Sequence, residues 1–110
     1  MTRALLLLAV AFVLPDPAAA QARPLPAEAQ RGRIEHVVEM LVRVDGREFL
    51  LAPGATIRDA RNLAIVPTAL PRAGEALEAD YTVDANGQIF RVWLLSPEEA
   101  ARPRKKASSQ

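Results

Sequence analysis

A two-residue phrase, Asp45-Gly46, sits between two alternating runs, Met40-Leu41-Val42-Arg43-Val44 and Arg47-Glu48-Phe49-Leu50-Leu51, and no other segment narrows the fold so sharply. A tight hairpin whose twist matches its strands needs φ > 0 at both loop residues, which Asp-Gly adopts readily. With this loop, Val44 opposes Arg47, Arg43 opposes Glu48, Val42 opposes Phe49 and Met40 opposes Leu51. Met40, Val42, Phe49 and Leu51 then form a mostly apolar stripe. Arg43 and Glu48 form an opposite-charge pair on the other side, worth a few tenths to about 1 kcal/mol.

Leu77 to Leu95 reads as a second hairpin. Asp84-Ala85-Asn86-Gly87 suits a type I turn closed by a left-handed glycine with an adjoining bulge. Val83 is expected to face Ile89, Tyr81 to face Arg91, Ala79 to face Trp93 and Leu77 to face Leu95. Phe90, Val92 and Leu94 make the opposite face apolar as well, which predicts that Gln88 to Leu95 is a central strand. Arg33 to Val38, rich in β-branched residues, is predicted as a strand leading into the first hairpin, and Ala55 to Arg58 as a short extended piece after Pro53-Gly54. Asp59 to Gly74, with Pro67 and Pro71, reads as a crossover loop with one helical turn near Pro67 to Leu70. Strands this few and short do not fill a two-sheet sandwich. The predicted fold is all-β, a five- to six-stranded antiparallel OB-like barrel, which buries the apolar faces and hides the edges.

The chain starts with Arg3, an uninterrupted apolar run from Ala4 to Leu14, the breaker Pro15-Asp16-Pro17 and a small-residue tract ending Ala20-Gln21-Ala22. This three-part order is that of a secretory signal, with cleavage expected after Ala22 and Ala20 as the nearby second choice. The apolar run is about half the roughly 20 residues that a membrane span needs. The expected organisation is a signal peptide over 1–22, a flexible lead-in over 23–31, the β domain over 32–97 and a disordered basic tail over 98–110, in which Glu98 to Arg102 read as a frayed helical turn. Export to the periplasm follows, with no stable membrane anchor after cleavage. The chain has no cysteine, which removes lipoprotein acylation and disulfides together, so the core alone must hold the domain.

The formal net charge of +1 is unevenly placed. Between Arg31 and Pro97 eight arginines meet nine carboxylates, and the surplus positive charge lies in Arg102-Pro103-Arg104-Lys105-Lys106. A neutral body with a short basic tail is not the profile of a nucleic-acid-binding domain, which carries a basic face. From Arg23 to Leu95 there is no Ser, Cys or Lys, which removes the commonest covalent nucleophiles and leaves Thr56, Thr68 and Thr82 as hydroxyls. Neither glycine-rich nucleotide cradle is present. The expectation is a protein without enzymatic activity and without a cofactor.

His36 is the only imidazole. Pairing it with Met40 on a metal fails on a continuous strand, where four residues span roughly 13 Å and ligands must lie about 2 to 2.3 Å from one point. No metal site is therefore expected, and a small-ligand or metal-carrying barrel is the alternative reading. Asp80 and Asp84 are the nearest carboxylates on the second hairpin; turn chemistry for Asp84 and a solvated strand face for Asp80 account for them. Tyr81, Arg91 and Trp93 are the candidate partner-binding residues, as a stacking and cationic platform, with core packing as the competing account of Trp93.

The order Gly32-x-Ile34, Val44-Asp45-Gly46-Arg47-x-Phe49-x-Leu51, Thr56-Ile57, Gly74, Tyr81, Asn86-Gly87-Gln88-Ile89 and Val92-Trp93-Leu94-Leu95 resembles small exported accessory proteins of type IV pilus (fimbrial) biogenesis. It is equally similar to uncharacterised periplasmic β-barrel domains built on the same plan. The similarity covers roughly Gly32 to Pro97. It implies support of assembly or scaffolding in the periplasm, with an envelope or pilus assembly protein as partner, and it carries no catalytic residues to this chain.

Overall fold

The structure, a computed structural model, describes residues 23–103. The signal segment with Ala20 and Ala22, and the tail beyond Pro103, lie outside the described residues. The described chain is mostly β. Six strands, β1 (Gln30–Val38), β2 (Leu41–Val44), β3 (Arg47–Arg58), β4 (Ala64–Ile65), β5 (Leu77–Val83) and β6 (Ile89–Leu94), are followed by one short helix, α1 (Pro97–Ala101). They form one sheet in the order β2-β1-β5-β6-β3-β4, and β2 also pairs with β3.

The sheet is mixed, not antiparallel throughout as expected: β3 and β6 run parallel, and every other pair is antiparallel. The cause lies in the count. β1, β2, β3, β6 and β5 are linked in a circuit of five pairings, and an odd circuit cannot reverse direction at every step.

The first hairpin has the expected register, with Val44 on Arg47, Arg43 on Glu48 and Val42 on Phe49. Asp45 and Gly46 have φ of 51° and 83°, as a primed turn requires. Met40 departs from the expected stripe. β1 and β2 are themselves a tight hairpin turning at Glu39 (φ 51°) and Met40, so Met40 is a turn residue and 39% exposed although its carbonyl accepts the Leu51 N–H. The piece expected at Ala55 to Arg58 is the second half of one continuous strand, β3, whose pairing with β6 is irregular between Leu51 and Thr56, where Pro53 and Gly54 (φ 79°) lie.

The second hairpin closes as expected and then slips. Val83 pairs with Ile89, but a bulge moves every later pair by one, giving Thr82–Arg91, Tyr81–Val92, Asp80–Trp93 and Ala79–Leu94. Phe90 is the extra residue. The Asp84 carboxylate accepts the N–H groups of Asn86 and Gln88, and Gly87 has φ 77°, so the turn chemistry expected of Asp84 is observed. β6 is flanked on both sides, by β5 and β3, as a central strand should be.

The core is formed by Ile34, Val42, Val44, Leu51, Ile57, Leu70, Ala79, Tyr81, Ile89, Val92 and Leu94. These side chains occupy the inner positions of five strands, joined by Leu70, which the 3-10 turn Pro67–Ala69 brings in from the crossover loop. That loop is tied down at both His36, whose N–H donates to the Pro71 carbonyl, and Glu35, whose carboxylate accepts the Gly74 N–H at 2.7 Å. Gly32 marks the closest approach. A Cβ there would lie 2.6 Å from Val44 Cγ1 and 2.7 Å from Asp45 Oδ2, while Asp45 Oδ1 accepts the Arg33 N–H. The turn of the first hairpin therefore packs on the backbone of β1. Gly32→Ala is expected to cost about 1–3 kcal/mol through overpacking, read as a lower urea midpoint; an unchanged midpoint would show that Val44 and Asp45 yield freely.

The lead-in expected to be flexible is held. Gln30 and Arg31 belong to β1, and the Arg23 side chain is only 6% exposed in an ion pair with Glu99. At the other end, the helical turn expected over Glu98 to Arg102 is α1 (Pro97–Ala101), fixed by a capping box between Ser96 and Glu99. The capping box is local, but the Arg23–Glu99 pair joins residues 76 positions apart, which local sequence does not reveal.

Candidate interaction surface

The bulge at Phe90 separates the three residues expected to act together. Tyr81 pairs with Val92 and points inward; it is 6% exposed, its hydroxyl donates to Gln30 Oε1 at 3.2 Å and its ring lies 6.1 Å from that of Phe49. Burial pushes the Tyr81 phenol above its ordinary pKa, the Asp45 carboxylate adding to this and Arg47 opposing it. Tyr81 is thus a core residue, not part of a platform. Arg91 and Trp93 remain together, because residues two apart on a strand share a face.

Their face is the outer side of β5, β6 and β3. The pairings place Thr82, Arg91 and Thr56 in one row across the three strands, and Asp80, Trp93 and Arg58 in the next. Thr56, Arg58 and Arg91 are exposed and Trp93 is partly buried. The Arg91 guanidinium lies over the Phe90 ring at 5.5 Å, and Arg58 Nη1 donates to the Asn62 carbonyl at 2.9 Å. Neither arginine meets a carboxylate among the described residues.

Asp80, expected on a solvated face, is fully buried. Arg31 covers it, with Nε donating to Oδ1 at 2.8 Å, and Arg31 also donates to the Arg102 carbonyl at 2.7 Å. The register explains the burial: Asp80 stands opposite Arg31 on one side and Trp93 on the other. Its charge is therefore matched within the fold, and it forms no acid/base pair with Asp84, which is spent on its own turn.

His36 is likewise committed locally, its Nε2 lying 2.9 Å from the Glu39 carbonyl oxygen. The continuous strand assumed for His36 and Met40 does not exist, since the chain reverses at Glu39-Met40. Among the described residues no group of three or more His, Cys, Asp or Glu side chains is placed to hold a metal ion. Nor does any described helix have the length and apolar character to cross a membrane.

A second outer surface was missed by sequence reasoning. Val38 pairs with Leu41 and Leu41 with Leu50, so three apolar side chains line up across β1, β2 and β3 on the outside of the sheet. Val38 is 53% and Leu50 51% exposed, with Met40 at the adjoining turn. The neighbouring row is charged: Arg43 bridges Glu35 at 3.3 Å and Glu48 at 3.4 Å. The Gly74 N–H, outweighing the opposing effect of burial and aided by Arg43, holds the Glu35 carboxyl below its ordinary pKa. The signal was present. The hairpin register that pairs Arg43 with Glu48 also pairs Leu41 with Leu50 two residues along the same side.

Comparison with known proteins gives no significant match to a family model, a curated protein or a solved structure.

Proposed function

We propose that this chain is a non-enzymatic protein-interaction module, exported to the periplasm, that serves envelope or type IV pilus assembly through the outer face of β1, β2 and β3. The observation that carries this reading is the exposed apolar row Val38–Leu41–Leu50 beside the ion-paired row Glu35–Arg43–Glu48. Large aliphatic side chains aligned across three strands cost solvation in the free protein, and a partner that covers them regains about 25 cal/mol for each Å² of apolar surface removed from water. The charged row then fixes orientation more than affinity.

The same reading takes the fold to be a small OB-like barrel. Its support is the circuit of five pairings that returns to β2, and the burial of the inner positions on all five strands. The stock of side chains from Arg23 to Leu95, without Ser, Cys or Lys, favours binding over catalysis. The resemblance of the motifs to pilus-biogenesis accessories suggests the compartment and the kind of partner.

A photo-reactive residue placed at Leu50 is expected to crosslink an envelope protein in intact cells, and Val38→Asp to abolish the product. The same group at Ala85, on the far turn of the second hairpin, is the control. Crosslinking no stronger at Leu50 than at Ala85 would sink the surface assignment. Amino-terminal sequencing of the chain recovered from the periplasm is expected to begin at Arg23.

A further inference from the structure

We infer that the outer face of β5, β6 and β3 is a second binding site, independent of the apolar row, which takes an extended acidic peptide with carboxylates two residues apart. Two guanidiniums, Arg58 and Arg91, emerge from adjacent parallel strands with Trp93 next to both: Trp93 pairs with Arg58 and lies two residues beyond Arg91. Neither arginine is neutralised by a carboxylate among the described residues: of the two β5 carboxylates on this face, Asp80 is engaged by Arg31, and Glu78 stands one row further from Arg91, in register with Arg33 of β1. The face therefore carries positive charge that the fold does not use.

An unpartnered group marks the same place. The Thr82 hydroxyl is buried and has no hydrogen-bond partner, and Thr82 stands in register with Arg91. A buried hydroxyl left unpaired is uncommon and costs stability. The oxygen is closed to solvent, so the bond it lacks comes from the protein itself, by Arg91, its neighbour in register, turning onto it as an anion binds.

Geometry selects the form of the anion. One strand spacing and two residues of rise put the Arg58 and Arg91 backbones roughly 8 Å apart. Side chains two apart on an extended peptide project to one side at a spacing of about 7 Å, a close match. Each carboxylate can then meet a guanidinium in a paired, charge-assisted bond, while the Trp93 indole offers an apolar floor between them.

Trp93 is the only tryptophan of the chain, so it reports on its own site. The test titrates the whole protein with a short capped peptide of alternating glutamate and alanine, and follows Trp93 emission. A saturable shift is expected, weakened by added salt as exposed charges are screened. Arg58→Gln and Arg91→Gln should each weaken binding roughly tenfold, the scale of one charged hydrogen bond, and the double variant should abolish it. Thr82→Val, which removes a hydroxyl already unpaired, should weaken binding several-fold without lowering the melting temperature. Three results would overturn the site: no shift with the glutamate peptide, binding that survives both arginine substitutions and so belongs to the basic tail, or a shift with polygalacturonate but not with the peptide.

Discussion

Asp80→Ala is expected to remove about 3–5 kcal/mol of folding stability, the usual result of leaving one partner of a buried ion pair behind. The Asp80 side chain is fully buried and that of Arg31 is 16% exposed, with Nε and Oδ1 at 2.8 Å. Without the carboxylate, Arg31 keeps its bond to the Arg102 carbonyl but holds a charge with no counter-ion in a desolvated place. Small domains have only about 5–15 kcal/mol in total. Since 1 kcal/mol moves the melting temperature of a domain this size by roughly 4–8 °C, a fall of more than about 12 °C should be seen by circular dichroism. Replacing both partners, Arg31→Met with Asp80→Leu, should recover most of the loss, because no charge is then stranded. A single Asp80→Ala change that leaves melting within a few degrees would mean that water reaches this pair.

Arg23→Ala should have an effect of similar size, about 3–5 kcal/mol, and should loosen α1. The Arg23 guanidinium meets both Glu99 oxygens at 3.0 Å and donates at 2.6 Å to the carbonyls of Asp59 and Leu94. It therefore joins the start of the described chain to the crossover loop, the end of β6 and the helix. Hydrogen exchange should rise at residues 96–102, and an unchanged exchange pattern there would defeat the clamp. The acid limb of the stability profile carries the same signature. Burial pushes the Glu99 carboxyl up, but hydrogen bonds from Arg23 and the Ser96 N–H outweigh it and hold the group below its ordinary value of 4.5. A folded-state pKa below the unfolded one gives stability that is complete above about 4.5 and is lost as pH falls through the folded value. Glu35 and Asp59 titrate in the same sense, held down chiefly by the N–H groups of Gly74 and Leu63. Glu99→Gln should flatten part of that acid limb, measured as urea midpoint against pH.

The two hairpins were legible because turn residues act over a few bonds. Asp45-Gly46 and Asp84 to Gly87 adopt the backbone expected of them, and the first register follows from its turn. The second register failed at one residue. Phe90 bulges, and that slip moves Tyr81 from the expected platform into the core while leaving Arg91 and Trp93 outside. Alternation gives no warning of such a slip when a strand is apolar on both faces, as β6 is, because either register buries some hydrophobic residues. Arg23, Arg31, Asp80 and Glu99 were misplaced for another reason. A charged residue looks solvated in sequence, and only its partners 49 or 76 positions away make burial affordable.

Local chemistry thus specified the β character, the turn positions and the poverty of nucleophiles, since each depends on residue type and immediate neighbours. The parallel join of β3 to β6, the paired charges under α1 and the two outward-facing rows depended on the assembled sheet. They arise between residues distant in the chain, where strand direction and a single bulge decide which side chains meet, and no short-range preference encodes that choice.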